Sequence, residues 1–194
     1  MKKKCQSVAL VSLGIGLLCV AATFSFAFES TGFDSALEAI LRSHPTPEAV
    51  AHFLRQNITS AEDSRLFGRA EYWQTPEEML LRRKGDCEDY AILTQALLER
   101  LGFEAFVFSL YGERGYAHTV TVFKEKGHHH VINQDRLIRL KARTLEEVAS
   151  WMYPDWTWGA VVTQRGHQGR IVREIFKTSV EAQLVASSLI ERSA

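Results

Sequence analysis

The spacing of apolar residues changes at Gly102, and that change limits the fold more than any other feature of the 194-residue chain. Before it, residues 88–101 place Tyr90, Leu93, Leu97, Leu98 and Leu101 at helical intervals. Gly102 stands where helices commonly end in a left-handed residue. After it the period is two, and strands are expected at 105–110, 118–123 and 130–138. Upstream, residues 34–43 carry one apolar helical face. Thr46 with Pro47 opens a second helix, and Thr75 with Pro76 opens a short one to about Arg82. The polar stretch 57–69 is expected to be a loop. Later come a helix at 144–151, strands at 158–163 and 171–176, and a closing helix at 179–191. Helices followed by a run of neighbouring strands predict an α+β fold with an antiparallel sheet rather than a doubly wound one. No linker or repeat divides residues 28–194, so a single domain is expected there.

Residues 1–27 are of another kind. Lys2, Lys3 and Lys4 precede an apolar stretch, 8–22, of signal-peptide length, and Ser25-Phe26-Ala27 offers small residues at −3 and −1 of a cleavage site. Cleavage after Ala27 and export to the periplasm or beyond are the expectation. An uncleaved membrane anchor is the alternative, for which the apolar run is short. Leu18, before Cys19, is too bulky for a lipoprotein processing site. Residues 28–194 hold 20 basic and 23 acidic side chains, a formal charge of −3, and so present no basic field for nucleic acid.

Cys5 and Cys19 lie in the N-terminal segment. The exported chain therefore keeps only Cys87 and has no internal disulfide. Cys87 stands in Gly85-Asp86-Cys87-Glu88-Asp89, at the start of the clearest helix. A helix N-terminus offers unpaired N–H groups and partial positive charge. These lower a thiol pKa and can receive an oxyanion. Asp86, Glu88 and Asp89 act against the thiolate, and they also suit a helix start. A reactive thiol needs a base, and the base an orienting group. His44 and His52 fall in the helical part, and His167 in a loop beside glycines. His128, His129 and His130 form a run that reads as a solvated turn. His118, at the head of a strand, remains. A two-residue turn at Lys126-Gly127 sets Asp135 opposite His118, where facing Cβ atoms lie about 4.5–5.5 Å apart. Asn133 is the reserve partner. A packed cysteine and an ordinary surface His–Asp pair are the plain alternatives.

Taken together, Tyr72-Trp73-x-x-Pro76-x-Glu78, Gly85-Asp86-Cys87-Glu88-Asp89-Tyr90-Ala91, Ala117-His118 and Asp135 resemble the transglutaminase-like superfamily. Within it, the likeness is to the bacterial transglutaminase-like cysteine peptidases, over roughly residues 47–140. The resemblance implies a papain-like α+β core with the cysteine helix packed on an antiparallel sheet. It implies a catalytic triad of Cys87, His118 and Asp135 that hydrolyses amides by acyl transfer. The oxyanion would be held by the Cys87 backbone N–H with a Trp73 or Gln74 side chain. It implies a protein or peptide substrate. A transglutaminase or amidase passing the acyl group to an amine, and a non-catalytic binding module, are the other readings. No cofactor is required. Some adhesin-cleaving relatives bind calcium through acids around the cysteine, and Asp86, Glu88 and Asp89 fit that pattern, with Lys84 a nearby positive charge. A monomer is expected. Trp151, Trp156 and Trp158 either line a groove or pack an edge of the core.

Overall fold

The computed structural model describes residues 32–113 and 115–177. The N-terminal segment 1–27 and the expected helix at 179–191 lie outside them. Two units are distinguished, the first ending at Ser43 and the second starting at His44. In the first, residues 32–43 form helix α1, where the Ser35 hydroxyl donates to the Gly32 carbonyl at 2.9 Å.

The second unit opens with α2 (Pro47–Asn57). The Thr46 hydroxyl caps it by accepting from the Ala49 N–H at 3.2 Å. The 57–69 stretch is more than a loop: it holds β1 (Thr59–Ser60) and α3 (Asp63–Phe67). Elements this short carry no periodicity, so the pattern of apolar residues does not reveal them. α4 (Pro76–Arg82) begins in a complete capping box. The Thr75 hydroxyl accepts from the Glu78 N–H at 3.2 Å, and Glu78 Oε2 accepts from the Thr75 N–H at 2.9 Å. β2 (Lys84–Gly85) pairs in parallel with β1 and leads into α5 (Cys87–Arg100). Gly102 ends the helix at φ 85°, as expected.

Six strands follow: β3 (Ala105–Gly112), β4 (Ala117–Glu125), β5 (His128–Asn133), β6 (Arg136–Ala142), and, after α6 (Leu145–Met152), β7 (Trp156–Arg165) and β8 (Gln168–Phe176). They form one antiparallel sheet in the order β6-β5-β4-β3-β7-β8. The β4–β5 turn is Lys126-Gly127, with φ 50° and 79°, and Glu125 faces His128 in the expected register. Both turn residues are left-handed, as a type I′ turn requires. The expected strand 130–138 divides in two. β5 ends at Asn133, Gln134 turns the chain at φ 52°, and Arg136 pairs back on Asn133. The histidine run belongs to β5, with His129 and His130 buried rather than solvated.

α5 lies on one face of the sheet, with Ala91 and Ile92 against Val107, Ala160 and Val162. α6 lies on the other, where Leu145, Val148 and Ala149 meet Phe108, Leu110, Val120, Val122 and Trp156. Full burial of such a side chain stabilises by about 1.5–3 kcal/mol. The three C-terminal tryptophans have separate fates. Trp156 is core and donates its indole N–H to Ser150 Oγ at 3.0 Å. Trp158 stacks on Tyr111 with ring centroids 4.2 Å apart, and Trp151 is exposed. Among the described residues no helix is long and apolar enough to cross a membrane.

Candidate active site

Cys87 is the first residue of α5, and the start of that helix is fixed by one buried carboxylate. Asp89 Oδ2 accepts from the Asp86 N–H at 3.2 Å and from Gln74 Nε2 at 2.5 Å, while Oδ1 accepts from the Gln74 N–H at 2.7 Å. A Cβ at residue 85 would overlap that carboxylate, which is why glycine stands there. Gln74 is fully buried and its amide also donates to the Lys84 carbonyl at 2.9 Å. Its donors are therefore spent on the fold, which corrects the expectation that Gln74 holds an oxyanion. Trp73 likewise packs, against Gly169 and the α5-side cluster. Of the expected oxyanion donors the Cys87 backbone N–H remains, in the first turn where helices leave N–H groups without intrahelical partners.

The half-buried Cys87 thiol donates to Glu88 Oε2 at 3.2 Å. Burial pushes the thiol above its ordinary range and the Asp86 charge adds to this, while contacts with the Thr119 backbone and with Glu88 pull the other way. The sequence expectation of a lowered thiol is thus not what this balance gives.

Thr119 follows His118 on β4. His118 Nε2 lies 2.8 Å from Asn133 Oδ1. In this contact the amide oxygen accepts and Nε2 donates. Continuing the β4–β5 register puts Asn133 across from Val120, diagonal to His118 on the same face, within reach of an imidazole. Among the described residues no hydrogen bond or ion pair joins Asp135 to His118. Asp135 follows the Gln134 turn, its carboxylate lies 3.4 Å from Arg55 Nε, and its carbonyl accepts from Arg55 Nη2 at 3.0 Å. The residue hydrogen-bonded to His118 is the reserve, Asn133. Tyr153, just after α6, neighbours His118. Its ring stands edge-on to the His118 imidazole at 6.0 Å, and its phenol is pushed up by burial and by the Cys87 charge. Among the described residues, then, the thiol's hydrogen bond runs to Glu88 and the imidazole's to Asn133.

Carboxylates crowd the other side of the thiol. Single oxygens of Asp63, Asp86 and Asp89 lie within 4.8 Å of one another, as do those of Asp63, Glu71 and Glu88. Asp63 Oδ1 and Asp86 Oδ1 are buried without a hydrogen-bond partner. Burial and the Glu88 and Asp89 charges push Asp86 up to about 9, and burial raises Asp89 to about 6. Glu88 is raised by burial and by Cys87. Orphaned, mutually repelling oxygens of this kind suit a hard divalent cation, which takes six to eight oxygen ligands. Asp63 and Glu71 were beyond sequence reasoning, because β1, α3 and the following segment bring them to the cysteine only in three dimensions.

Three other histidines make contacts within the fold. His130 Nδ1 accepts from the Leu140 N–H at 3.1 Å, and His44 packs edge-on to Phe53. His167 stacks on Tyr72 at 4.3 Å between centroids, and its carbonyl accepts from the Trp73 N–H at 3.3 Å.

The chain is similar in part to known proteins. A curated relative, the UPF0252 protein of Archaeoglobus fulgidus, is 29% identical over 80 residues, 41% of this chain and 26% of that protein. The matched stretch thus spans about a quarter of the relative's length. Among solved structures, calcium-bound Legionella pneumophila LapG aligns with TM-score 0.44 and 17% identity, covering 76% of this chain and 78% of that one. EGTA-treated LapG aligns with TM-score 0.42 and 18% identity, covering 76% and 77%. The family described as transglutaminase-like domain matches residues 38–149, more than half of the sequence. The chain belongs to the transglutaminase-like domain family.

Proposed function

We propose that this protein is an exported cysteine peptidase that hydrolyses protein or peptide amides, with Cys87 as nucleophile, His118 as general base and Asn133 as the orienting group. The observation that carries this is the 2.8 Å His118–Asn133 hydrogen bond on the strand whose next residue, Thr119, presents its backbone to the Cys87 sulfur. Asn133 fixes the tautomer in which Nδ1 is free. With the thiol turned from Glu88, Nδ1 takes its proton as sulfur attacks the amide carbonyl. The carbonyl oxygen becomes an oxyanion steadied by the Cys87 N–H at the helix start. The C–N bond breaks, and the imidazolium gives its proton to the departing amine. Water, deprotonated by His118, then hydrolyses the thioester and restores the thiol. Amine transfer passes through the same acyl-enzyme, so product analysis with and without a primary amine separates hydrolase from transferase. Export is supported by the lysine-rich start and apolar stretch of residues 1–27.

The acidic cluster fits calcium, with Asp63, Asp86, Glu88 and Asp89 as its holders. The ion would supply charge that neutralises these carboxylates beside the thiol. Calcium at a hundred times its Kd is expected to stabilise the fold by about 2.7 kcal/mol, and EGTA to reverse this.

The deciding experiment measures Cys87 alkylation and peptide cleavage for wild type, Cys87→Ala and His118→Ala. General-base catalysis contributes roughly 10²–10⁴-fold, and a loss of that size is expected in His118→Ala. If His118→Ala alkylates and cleaves like wild type, His118 is not the base and the reading fails.

A further inference from the structure

A cleft of about 580 Å³ has Trp73, Tyr111 and Ile171 among its walls and Arg69 and Arg165 lining it. Its near end is fixed by Ser109, which shares a 2.8 Å hydrogen bond with Thr119, the residue whose backbone meets the Cys87 sulfur. Glu71 also lines it, and one of its oxygens lies within 4.8 Å of oxygens on Asp63 and Glu88. Along β7, Ala160 pairs with Ser109, and Arg165 lies five residues further on. At about 3.3 Å per residue this is about 16 Å away. Arg165 has no carboxylate partner among the described residues. Arg69 has none either, and its guanidinium stacks 5.6 Å over the Tyr72 ring. The wall between the two ends is built rather than loose. Gln164 Nε2 donates to the Trp73 and Gln74 carbonyls at 3.1 and 2.9 Å, and the Trp73 ring lies so close to Gly169 that a Cβ there would overlap it.

We propose that this cleft takes the substrate as an extended polypeptide and selects an acidic side chain four to six residues from the bond that is cleaved, its carboxylate received by Arg69 and Arg165. The proposal rests on the reading of Cys87 as the nucleophile. Extended peptide and strand rise alike per residue, so about 16 Å corresponds to about five residues. Planar guanidinium pairs a carboxylate through two hydrogen bonds. The span along β7 from Ala160, which pairs with Ser109, to Arg165 fixes the register.

The test has two arms on the full-length protein. In the first, Cys87→Ala protein is titrated with fluorescent dodecapeptides identical but for one aspartate or one lysine moved along an Ala/Gly/Ser background. Aspartate peptides are expected to bind on the order of tenfold more tightly than lysine ones at low salt, with the gap closing as salt screens it. Arg69→Glu/Arg165→Glu is expected to reverse the preference. Equal binding, no binding, or a preference that survives the double reversal overturns the proposal. In the second arm, wild type digests a proteome-derived peptide mixture. Cleavage with an acidic residue enriched at a fixed spacing supports the proposal. Cys87-dependent cleavage without that enrichment overturns it and leaves the peptidase reading standing. Acid-selective binding without any cleavage keeps the cleft and removes the peptidase reading.

Discussion

The two faces of the sheet are held by different physics. On the α6 side the contact is volume: Phe108, Leu110, Val120, Val122, Val131 and Trp156 close on the helix with no charged side chain in the cluster. On the α5 side the apolar contact is made by smaller residues, Ala91, Ile92, Val107, Ala160 and Val162. Much of the positioning there is directional. Thr121 Oγ1 donates to the Ala91 carbonyl at 2.9 Å, and Gln74 and Asp89 lock the helix start. Packed volume resists unfolding without caring about small rotations. Hydrogen bonds fix rotation and depth, which is what a thiol at a helix end requires. The thiol of the candidate site is supplied by α5 and its imidazole by the row of β4 that continues from Val120.

Four changes would break or sharpen this contrast. Phe108→Ala removes volume only and should cost about 3–5 kcal/mol in denaturant unfolding, with the Cys87 alkylation rate of the folded protein unchanged. A shifted rate would mean the faces are not separable. Gln74→Leu keeps volume but strips donors from Asp89 and the Lys84 carbonyl. Leaving buried groups unpaired costs about 1–3 kcal/mol each, and the alkylation midpoint should move toward that of a free thiol. If it stays put, the hydrogen bonds at the helix start do not govern the thiol. Asn133→Ala should slow alkylation by roughly tenfold, a loss of about 1.4 kcal/mol in the transition state. Asp135→Ala should leave the rate alone and cost no more than about 1 kcal/mol through its exposed Arg55 pair. The opposite ranking would restore Asp135 as the orienting group.

The smallest effect concerns pH. Burial holds the His130 imidazole below its ordinary pKa, and its Nδ1 must stay unprotonated to accept from Leu140. A depressed folded pKa means that the unfolded chain binds the proton first. The stabilisation is therefore complete above about pH 6.5, the ordinary histidine value, and is lost as pH falls below it. His130→Gln should flatten the fall in Tm between pH 7 and 5 by the equivalent of about 1 kcal/mol. An unchanged slope would assign the acid sensitivity elsewhere.

Much of this architecture is legible in the sequence because it rests on local rules. Thr75-Pro76 with Glu78 announces a cap, the 88–101 pattern announces α5, and Lys126-Gly127 sets the β4–β5 register. The expectation at Asp135 extends a correct register past Asn133, where β5 ends, and the side chain there pairs with Arg55. Gln134 adopts φ 52° without glycine to mark it, and the turn consists of residues that also suit a strand or loop. Cys87 and His118 were legible as types and positions, whereas the burial of Gln74 was not. A glutamine in a loop carries no sign that two segments will close over it. The histidine run misled for the same reason: polarity suggested solvent, and the sheet buried two of the three.

The β1–β2 pair has a wider meaning. By joining residues 59–60 to 84–85 it closes residues 61–83 into a loop anchored just ahead of the cysteine. That loop contributes Asp63, Glu71, Tyr72 and Trp73, two carboxylates of the cluster and part of the cleft wall. Closure entropy rises only with the logarithm of loop length, about 0.6 kcal/mol for each doubling. A different insert between the same two anchors is thus thermodynamically cheap, which makes this segment an exchangeable cassette beside an unchanged Cys87.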